Sequence, residues 1–206
     1  MRTQTLTVYK FNELPTEIQD KIIQKNCDIN TDYNGWDDFV IEEHTEKLEL
    51  IGFDDVKIRY SGFYSQGDGA SFYSKTLDLF KIMQYFGMDK TYPTLWKYLN
   101  EDSYNVGGEV GMIELGSMYS HENSVKIDGY LYLTNDEQDS IDAKQFEKES
   151  NELVEWLENW RYEYSKDIYR DLKNEYEMLC SREQIIETLE INEFEFYSDG
   201  TIARTK

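Results

Sequence analysis

Large apolar residues recur at helical spacing between residues 146 and 180, and this run constrains the fold more than any other feature of the sequence. Steps of three and four residues place these side chains on one face of an α-helix, which has about 3.6 residues per turn. The residues of this apolar stripe are Leu153, Trp156, Leu157, Trp160, Tyr164, Ile168, Leu172, Tyr176 and Leu179. The sequence therefore predicts one amphipathic helix about 50 Å long, at a rise of about 1.5 Å per residue.

The rest of the chain carries shorter helical and β-like patterns. Alternation of polar and apolar residues predicts strands at 3–10, 56–60, 72–76, 106–119, 124–133 and 191–197. Helical spacing predicts helices at 14–26, 36–51, 76–87, 93–100 and 181–188. Turn residues at 120–123 and 198–200 predict two hairpins. Because no linker is visible, we expect one α+β domain over residues 1–206, in which helices pack on a small, mostly antiparallel sheet.

A polar, glycine-rich segment at residues 61–72 interrupts these patterns. Glycine permits positive φ angles and the close approach of another backbone or of a ligand. The hydroxyl, amide and carboxylate groups of the segment can bind a polar ligand, or they can satisfy the backbone of a tight turn between two strands. Both interpretations remain open, and the residues concerned are Ser61, Ser65, Gln66, Gly67, Asp68, Gly69 and Ser71.

The formal net charge of −21 arises from 42 acidic and 21 basic residues. Such a charge repels nucleic acids and anionic membranes, and it favours basic partners, including proteins built to hold nucleic acid. The alternative is that the charge only keeps the protein soluble. If it serves binding, we expect a composite acidic face on the second helix and the long helix, formed by Asp37, Asp38, Glu42, Glu43, Glu46, Glu152, Glu155, Glu158, Glu163, Asp167 and Asp171.

Residues typical of catalytic or metal sites are scarce. His44 lies among glutamates on the predicted second helix and is interpreted as a surface histidine. Cys27 and Cys180 have no motif spacing, which indicates a reducing compartment. No run of 18 apolar residues and no apolar leader is present, so we expect neither a membrane span nor a signal peptide. We predict no enzyme activity, no cofactor and no metal.

Residues 60–72 read Tyr-Ser-Gly-Phe-Tyr-Ser-Gln-Gly-Asp-Gly-Ala-Ser-Phe, and this pattern resembles a family of small acidic phage and prophage proteins. Those proteins also open with a short strand that ends as Tyr9-Lys10-Phe11 does, and they close with a motif similar to residues 191–200. Members are often labelled antitoxin-like or uncharacterised. The resemblance implies a phage or prophage origin and action in the cytoplasm of the bacterial host.

Charge and resemblance together favour a counter-defence protein. We expect it to bind and inhibit a basic host protein that handles nucleic acid, such as a CRISPR effector or a restriction nuclease, in part by imitating the charge of nucleic acid. Two alternatives remain open. One is an antitoxin-like protein that neutralises a basic toxin, and the other is a protein that binds a small ligand such as a nucleotide through residues 60–72.

Overall fold

The computed structural model describes residues 6–101, 103–116, 118–134 and 141–203. Within these residues the chain forms an α+β fold, which confirms the predicted fold class. The strands are β1 (Tyr9–Lys10), β2 (Phe53–Ser61), β3 (Gly69–Leu77), β4 (Val106–Glu114), β5 (Val125–Leu133) and β6 (Glu195–Phe196). The helices are α1 (Thr16–Lys25), α2 (Asp38–Ile51), α3 (Leu79–Tyr85), α4 (Pro93–Glu101), α5 (Ile141–Leu179) and α6 (Arg182–Ile191).

The described strands form three two-stranded antiparallel sheets rather than one sheet: β1 with β6, β2 with β3, and β4 with β5. The hairpin predicted around residues 120–123 is present, and its strands pair from Val106 opposite Leu133 to Glu114 opposite Val125. Strands β2 and β3 include the two ends of the glycine-rich segment and pair from Phe53 opposite Leu77 to Ser61 opposite Gly69. Residues 3–5 of the predicted first strand lie outside the described residues.

The chain divides into two compact units. A terminal unit consists of Met1–Asp38 and Leu172–Lys206, and a central unit consists of Phe39–Asp171. The expectation of one domain over residues 1–206 stays a prediction.

The core of the terminal unit forms between α1, α6 and the β1–β6 pair. Its buried side chains are Phe11, Leu14, Ile22, Ile185, Leu189 and Phe196. The hairpin predicted to turn at residues 198–200 is present, since the backbone N–H of Tyr197 donates to the carbonyl oxygen of Thr201 and that of Ala203 to the carbonyl oxygen of Glu195. Its first strand is shorter than the predicted 191–197, because α6 continues to Ile191, and Phe196 pairs in addition with Tyr9 of β1. Phe196 also forms an isolated bridge with Ile202, so the chain does turn back after β6.

An aromatic cluster fills the core of the central unit. Phe53 of β2 stacks on Trp160 of α5 with 5.6 Å between the ring centroids. Phe72 of β3 meets both Trp160 and Tyr164 edge-on, and Phe86 packs edge-on against Trp160. Because a buried aromatic ring removes roughly 150–250 Å² from water, these contacts hold the β2–β3 hairpin firmly against α5.

Helix α5 is 39 residues long, which confirms the predicted long helix. The stripe residues Leu153, Leu157, Ile168 and Leu172 are buried. At the end of the helix, the side-chain amide of Asn30 donates a hydrogen bond of 2.9 Å to the carbonyl oxygen of Leu179. This bond satisfies one of the carbonyl groups that a helix end leaves without an internal partner.

Candidate functional site

Helix α2 presents a charged face to solvent, opposite a buried stripe. The stripe consists of Val40, His44, Leu48 and Ile51, at the spacing of one helical face. The opposite side, which we call the α2 acidic face, consists of Phe39, Glu42, Glu43, Glu46, Glu49 and Leu50, all exposed. None of its four carboxylates forms an ion pair or a hydrogen bond with the described residues.

Two large apolar side chains border these carboxylates. Phe39 is 74% exposed and Leu50 is 64% exposed, and the spacing of residues 39, 43, 46 and 50 places them along one edge of the face. Exposed aromatic side chains such as Phe39 are enriched at protein–protein interfaces. The sequence prediction included Glu42, Glu43 and Glu46 but missed Glu49, Phe39 and Leu50, which the same helical spacing indicates.

Asp37 and Asp38 belong to the terminal unit and lie at the start of α2. Asp38 is exposed and Asp37 is half-buried. The backbone N–H of Asp38 donates to the carbonyl oxygen of Gly35, so these two acids are part of the turn that leads into the helix.

The predicted acidic residues of α5 differ from those of α2 because most of them form ion pairs. Of the six, only Glu155 has no ion-pair partner among the described residues. The pairs are Glu152 with Lys148, Glu158 with Arg161, Glu163 with Lys166, Asp167 with Arg170, and Asp171 with Arg170. Each pair reduces the negative charge that α5 presents, whereas the four α2 glutamates form no ion pair with the described residues, although Lys47 is exposed beside them.

The glycine-rich segment packs against the connection between β4 and β5. A Cβ atom on Gly69 would lie 2.6 Å from Cβ of His121, and one on Gly67 would lie 3.3 Å from the ring of Tyr119. The hydroxyl oxygen of Ser61 accepts a hydrogen bond of 2.7 Å from the backbone N–H of Ser120. Gly69 is therefore favoured because another part of the chain approaches closely, and Gly67 because its φ angle is 93°.

Within the segment, polar groups also form hydrogen bonds with one another. The Asp68 carboxylate accepts a hydrogen bond from the backbone N–H of Ser65. Ser65, Gln66 and Gly67 are exposed, whereas Ser71 is buried in β3. This arrangement agrees with a tight turn between two strands for most of the segment.

His44 is buried, so its interpretation as a surface histidine is wrong. Its Nε2 atom lies 3.2 Å from the Asp171 carboxylate, and its Nδ1 atom lies 2.9 Å from the hydroxyl oxygen of Tyr164. Because a carboxylate only accepts, Nε2 carries the proton of the neutral ring and Nδ1 accepts from Tyr164. Burial lowers the pKa of His44 against the opposing effect of Asp171, and burial also raises the pKa of Tyr164. This network keeps α2 in place on α5.

Two buried charged residues of α5 were not predicted. Arg161 is 1% exposed; its guanidinium contacts both carboxylate oxygens of Glu158 and donates a 2.8 Å hydrogen bond to the carbonyl oxygen of Glu122. Glu149 accepts a 2.7 Å hydrogen bond from the backbone N–H of Leu95, in the first turn of α4. Both residues lie at the helical spacing of the apolar stripe, which is the signal that could have identified them as buried.

Within the described residues, no group of three or more histidine, cysteine, aspartate or glutamate side chains is placed to hold a metal ion. None of the described helices has the length and apolar character needed to cross a membrane.

Comparison with known proteins gives one family. The model of a family described as Domain of unknown function (DUF8835) matches residues 36–182. The match covers more than half of the chain, which therefore belongs to this family, and it contains the whole central unit. Searches of the curated proteins and of the solved structures found no match.

Proposed function

We propose that this member of the DUF8835 family is a binding protein that inhibits a basic, nucleic-acid-handling host protein, and that the α2 acidic face is its docking surface. The observation that carries the proposal is the set of four exposed glutamates without ion pairs, bordered by Phe39 and Leu50. Carboxylates of this kind attract a basic surface, and the two apolar side chains supply contact area that is lost from water on binding.

The density of charge on α2 supports partial imitation of nucleic acid. Residues 42–49 span about 10 Å at roughly 1.5 Å per residue. Duplex DNA presents one charge per roughly 1.7 Å, or about six charges over that length. Four glutamates and the exposed Lys47 give residues 42–49 a net charge of −3, about half the density of DNA, whereas ion pairs with basic residues dilute the charge of α5. The α2 acidic face therefore imitates a short stretch of a phosphate backbone.

The expected partner follows from the charge and from the resemblance to phage proteins described above. A host defence protein such as a CRISPR effector or a restriction nuclease holds nucleic acid in a basic channel. An acidic helix that occupies this channel excludes the nucleic acid. We expect the inhibitor to act in the cytoplasm of the bacterial host.

The experiment compares two charge-reversal variants that change the net charge equally. One replaces Glu42, Glu43 and Glu46 with lysine, and its control replaces Glu183, Glu187 and Glu190, which are exposed on α6. Each protein is used as bait in a lysate of a defence-bearing host. The proposal requires that the captured protein bind nucleic acid, that added duplex DNA displace it, and that only the α2 variant lose it.

Two results would contradict the proposal. Equal loss of capture in both variants would show that the interaction depends only on net charge. Capture that neither high salt nor added nucleic acid weakens would show that the interaction is not electrostatic. Capture of a small basic toxin, with rescue of its toxicity on co-expression, would instead establish the antitoxin-like alternative.

A further inference from the structure

A small cavity lies on the face of the β2–β3 hairpin that points away from the aromatic core. The cross-strand register places Lys57 opposite Tyr73 and Arg59 opposite Ser71, and all four residues line the cavity. The connection between β4 and β5 covers it, and Ser120 contributes to the lining from that side. Within the segment 61–72, Ser71 is the residue that reaches this cavity.

Hydrogen-bond donors converge on the cavity without partners of their own. Ser71 is only 4% exposed, yet its hydroxyl forms no hydrogen bond with the described residues. The Lys57 ammonium and the Tyr73 hydroxyl also form no ion pair or hydrogen bond there. The Ser71 hydroxyl opens onto the cavity, so it can donate a hydrogen bond to a ligand there without giving up a partner within the described residues.

The charge of the lining is opposite to that of the protein. Arg59 forms an ion pair of 2.8 Å with Glu114, which leaves the positive charge of Lys57 uncompensated. At physiological ionic strength, screening over about 8 Å weakens the effect of remote acidic residues on this position. The local charge therefore favours an anion, although the net charge of the chain is −21.

The volume limits the size of that anion. The cavity measures about 80 Å³. A single water molecule needs roughly 10–15 Å³, so the cavity holds a group of about five non-hydrogen atoms. A phosphate has this size, whereas a complete nucleotide does not fit.

We propose that this cavity binds a phosphate-sized oxyanion, with Lys57 supplying the charge and Ser71 and Tyr73 donating hydrogen bonds. The site is separate from the α2 acidic face, so it gives the protein a second binding function. The ligand is inorganic phosphate or the phosphoryl group of a larger molecule that extends out of the cavity.

Isothermal titration calorimetry of the full chain with inorganic phosphate, at constant ionic strength, tests the proposal. We expect a dissociation constant on the order of 0.1–1 mM, which is typical of so small a ligand. Replacing Ser71 with alanine or Lys57 with glutamine should each weaken binding about tenfold, since each removes a charge-assisted hydrogen bond. Parallel titrations with AMP and phosphoserine identify the source, because the molecule with additional contacts binds more tightly.

The matched control is Lys75→Gln, which removes an exposed lysine from the same hairpin without altering the lining of the cavity. Its affinity should remain within about twofold of the unmodified protein, well short of the tenfold that one charge-assisted contact contributes. Equal weakening by Lys57→Gln and Lys75→Gln would overturn the proposal, because the binding would then be diffuse attraction. The absence of binding at about 10 mM phosphate would overturn it as well, since this is tenfold above the weakest expected dissociation constant.

Discussion

The hydroxyl oxygen of Tyr164 lies 2.9 Å from Nδ1 of His44, inside the core of the central unit. The imidazole is held on its other side by the Asp171 carboxylate at 3.2 Å. Tyr164 and Asp171 belong to α5, whereas His44 belongs to α2, so this network connects the two helices. His44 lies on the side of α2 opposite the α2 acidic face. The network therefore holds α2 with its acidic face towards solvent.

Replacing Tyr164 with phenylalanine tests this network. The substitution keeps the ring but leaves Nδ1 of His44 buried without a donor. We expect the free energy of unfolding to fall by about 1–3 kcal/mol, measured by urea denaturation. The control Tyr130→Phe removes a hydroxyl from an exposed ring and should stay within about 0.5 kcal/mol. A similar small effect at both positions would show that the hydrogen bond between Tyr164 and His44 does not contribute to the free energy of unfolding.

The lowered pKa of His44 predicts a dependence of stability on pH. The unfolded chain takes up a proton on His44 near pH 6.5, whereas the folded chain does so only at lower pH, because burial opposes the charged form. The contribution of His44 to stability is therefore complete above that pH. It is lost as the pH falls towards the lowered pKa, at no more than about 1.4 kcal/mol per pH unit.

Comparison of the unmodified protein with a His44→Gln variant isolates this contribution from that of the many carboxylates. We expect the difference in the free energy of unfolding between the two proteins to shrink as the pH falls below about 6.5. Since the chain has two histidines, a His121→Asn variant leaves one imidazole signal for a direct NMR titration. A titration of His44 above its usual pKa would contradict the prediction.

Arg161 and Arg170 offer a matched pair of ion-pair deletions on one helix. The guanidinium of Arg161 is buried and makes contacts with Glu158 and Glu122, whereas Arg170 is exposed. Replacing Arg161 with alanine should destabilise the protein by about 2–5 kcal/mol, because it leaves a cavity in place of a buried side chain and removes the donor to the carbonyl oxygen of Glu122. Replacing Arg170 should change stability by less than about 1 kcal/mol. Thermal unfolding of both variants checks the difference, and equal effects would contradict it.

Two glycine-to-alanine substitutions test the packing of the glycine-rich segment. At Gly69 the added methyl group meets the backbone and Cβ of His121 at 2.9 and 2.6 Å, so we expect a loss of about 1–3 kcal/mol. At Gly111 of β4, no atom lies within 4 Å of the added methyl group. That substitution should be neutral or stabilise the protein by up to about 1 kcal/mol, because it reduces the freedom of the unfolded chain. Chemical denaturation measures both, and a harmless Gly69→Ala would contradict the close packing.

Residue patterns along the chain predicted the helices and hairpins whose formation depends on the spacing of nearby residues. The stripe from Leu153 to Leu179 predicted α5, and the alternation around residues 120–123 predicted the β4–β5 hairpin. Pairing between distant parts of the chain was not predicted. The partner of Phe196 is Tyr9, and local sequence carries no information on which strand is brought within hydrogen-bonding distance of another.

For the candidate site, composition and spacing were enough to predict that the chain is strongly acidic and that α2 and α5 are amphipathic, but they left residues 61–72 open between a ligand site and a tight turn. Which acids stay unpaired follows only from the tertiary structure. Glu42, Glu43 and Glu46 remain free in solvent, whereas most acids of α5 lie beside a basic residue. The tertiary structure also decided that Lys57 and Ser71 face one cavity. Charge and burial depend on neighbours in space, and folding brings together residues that are far apart in the chain.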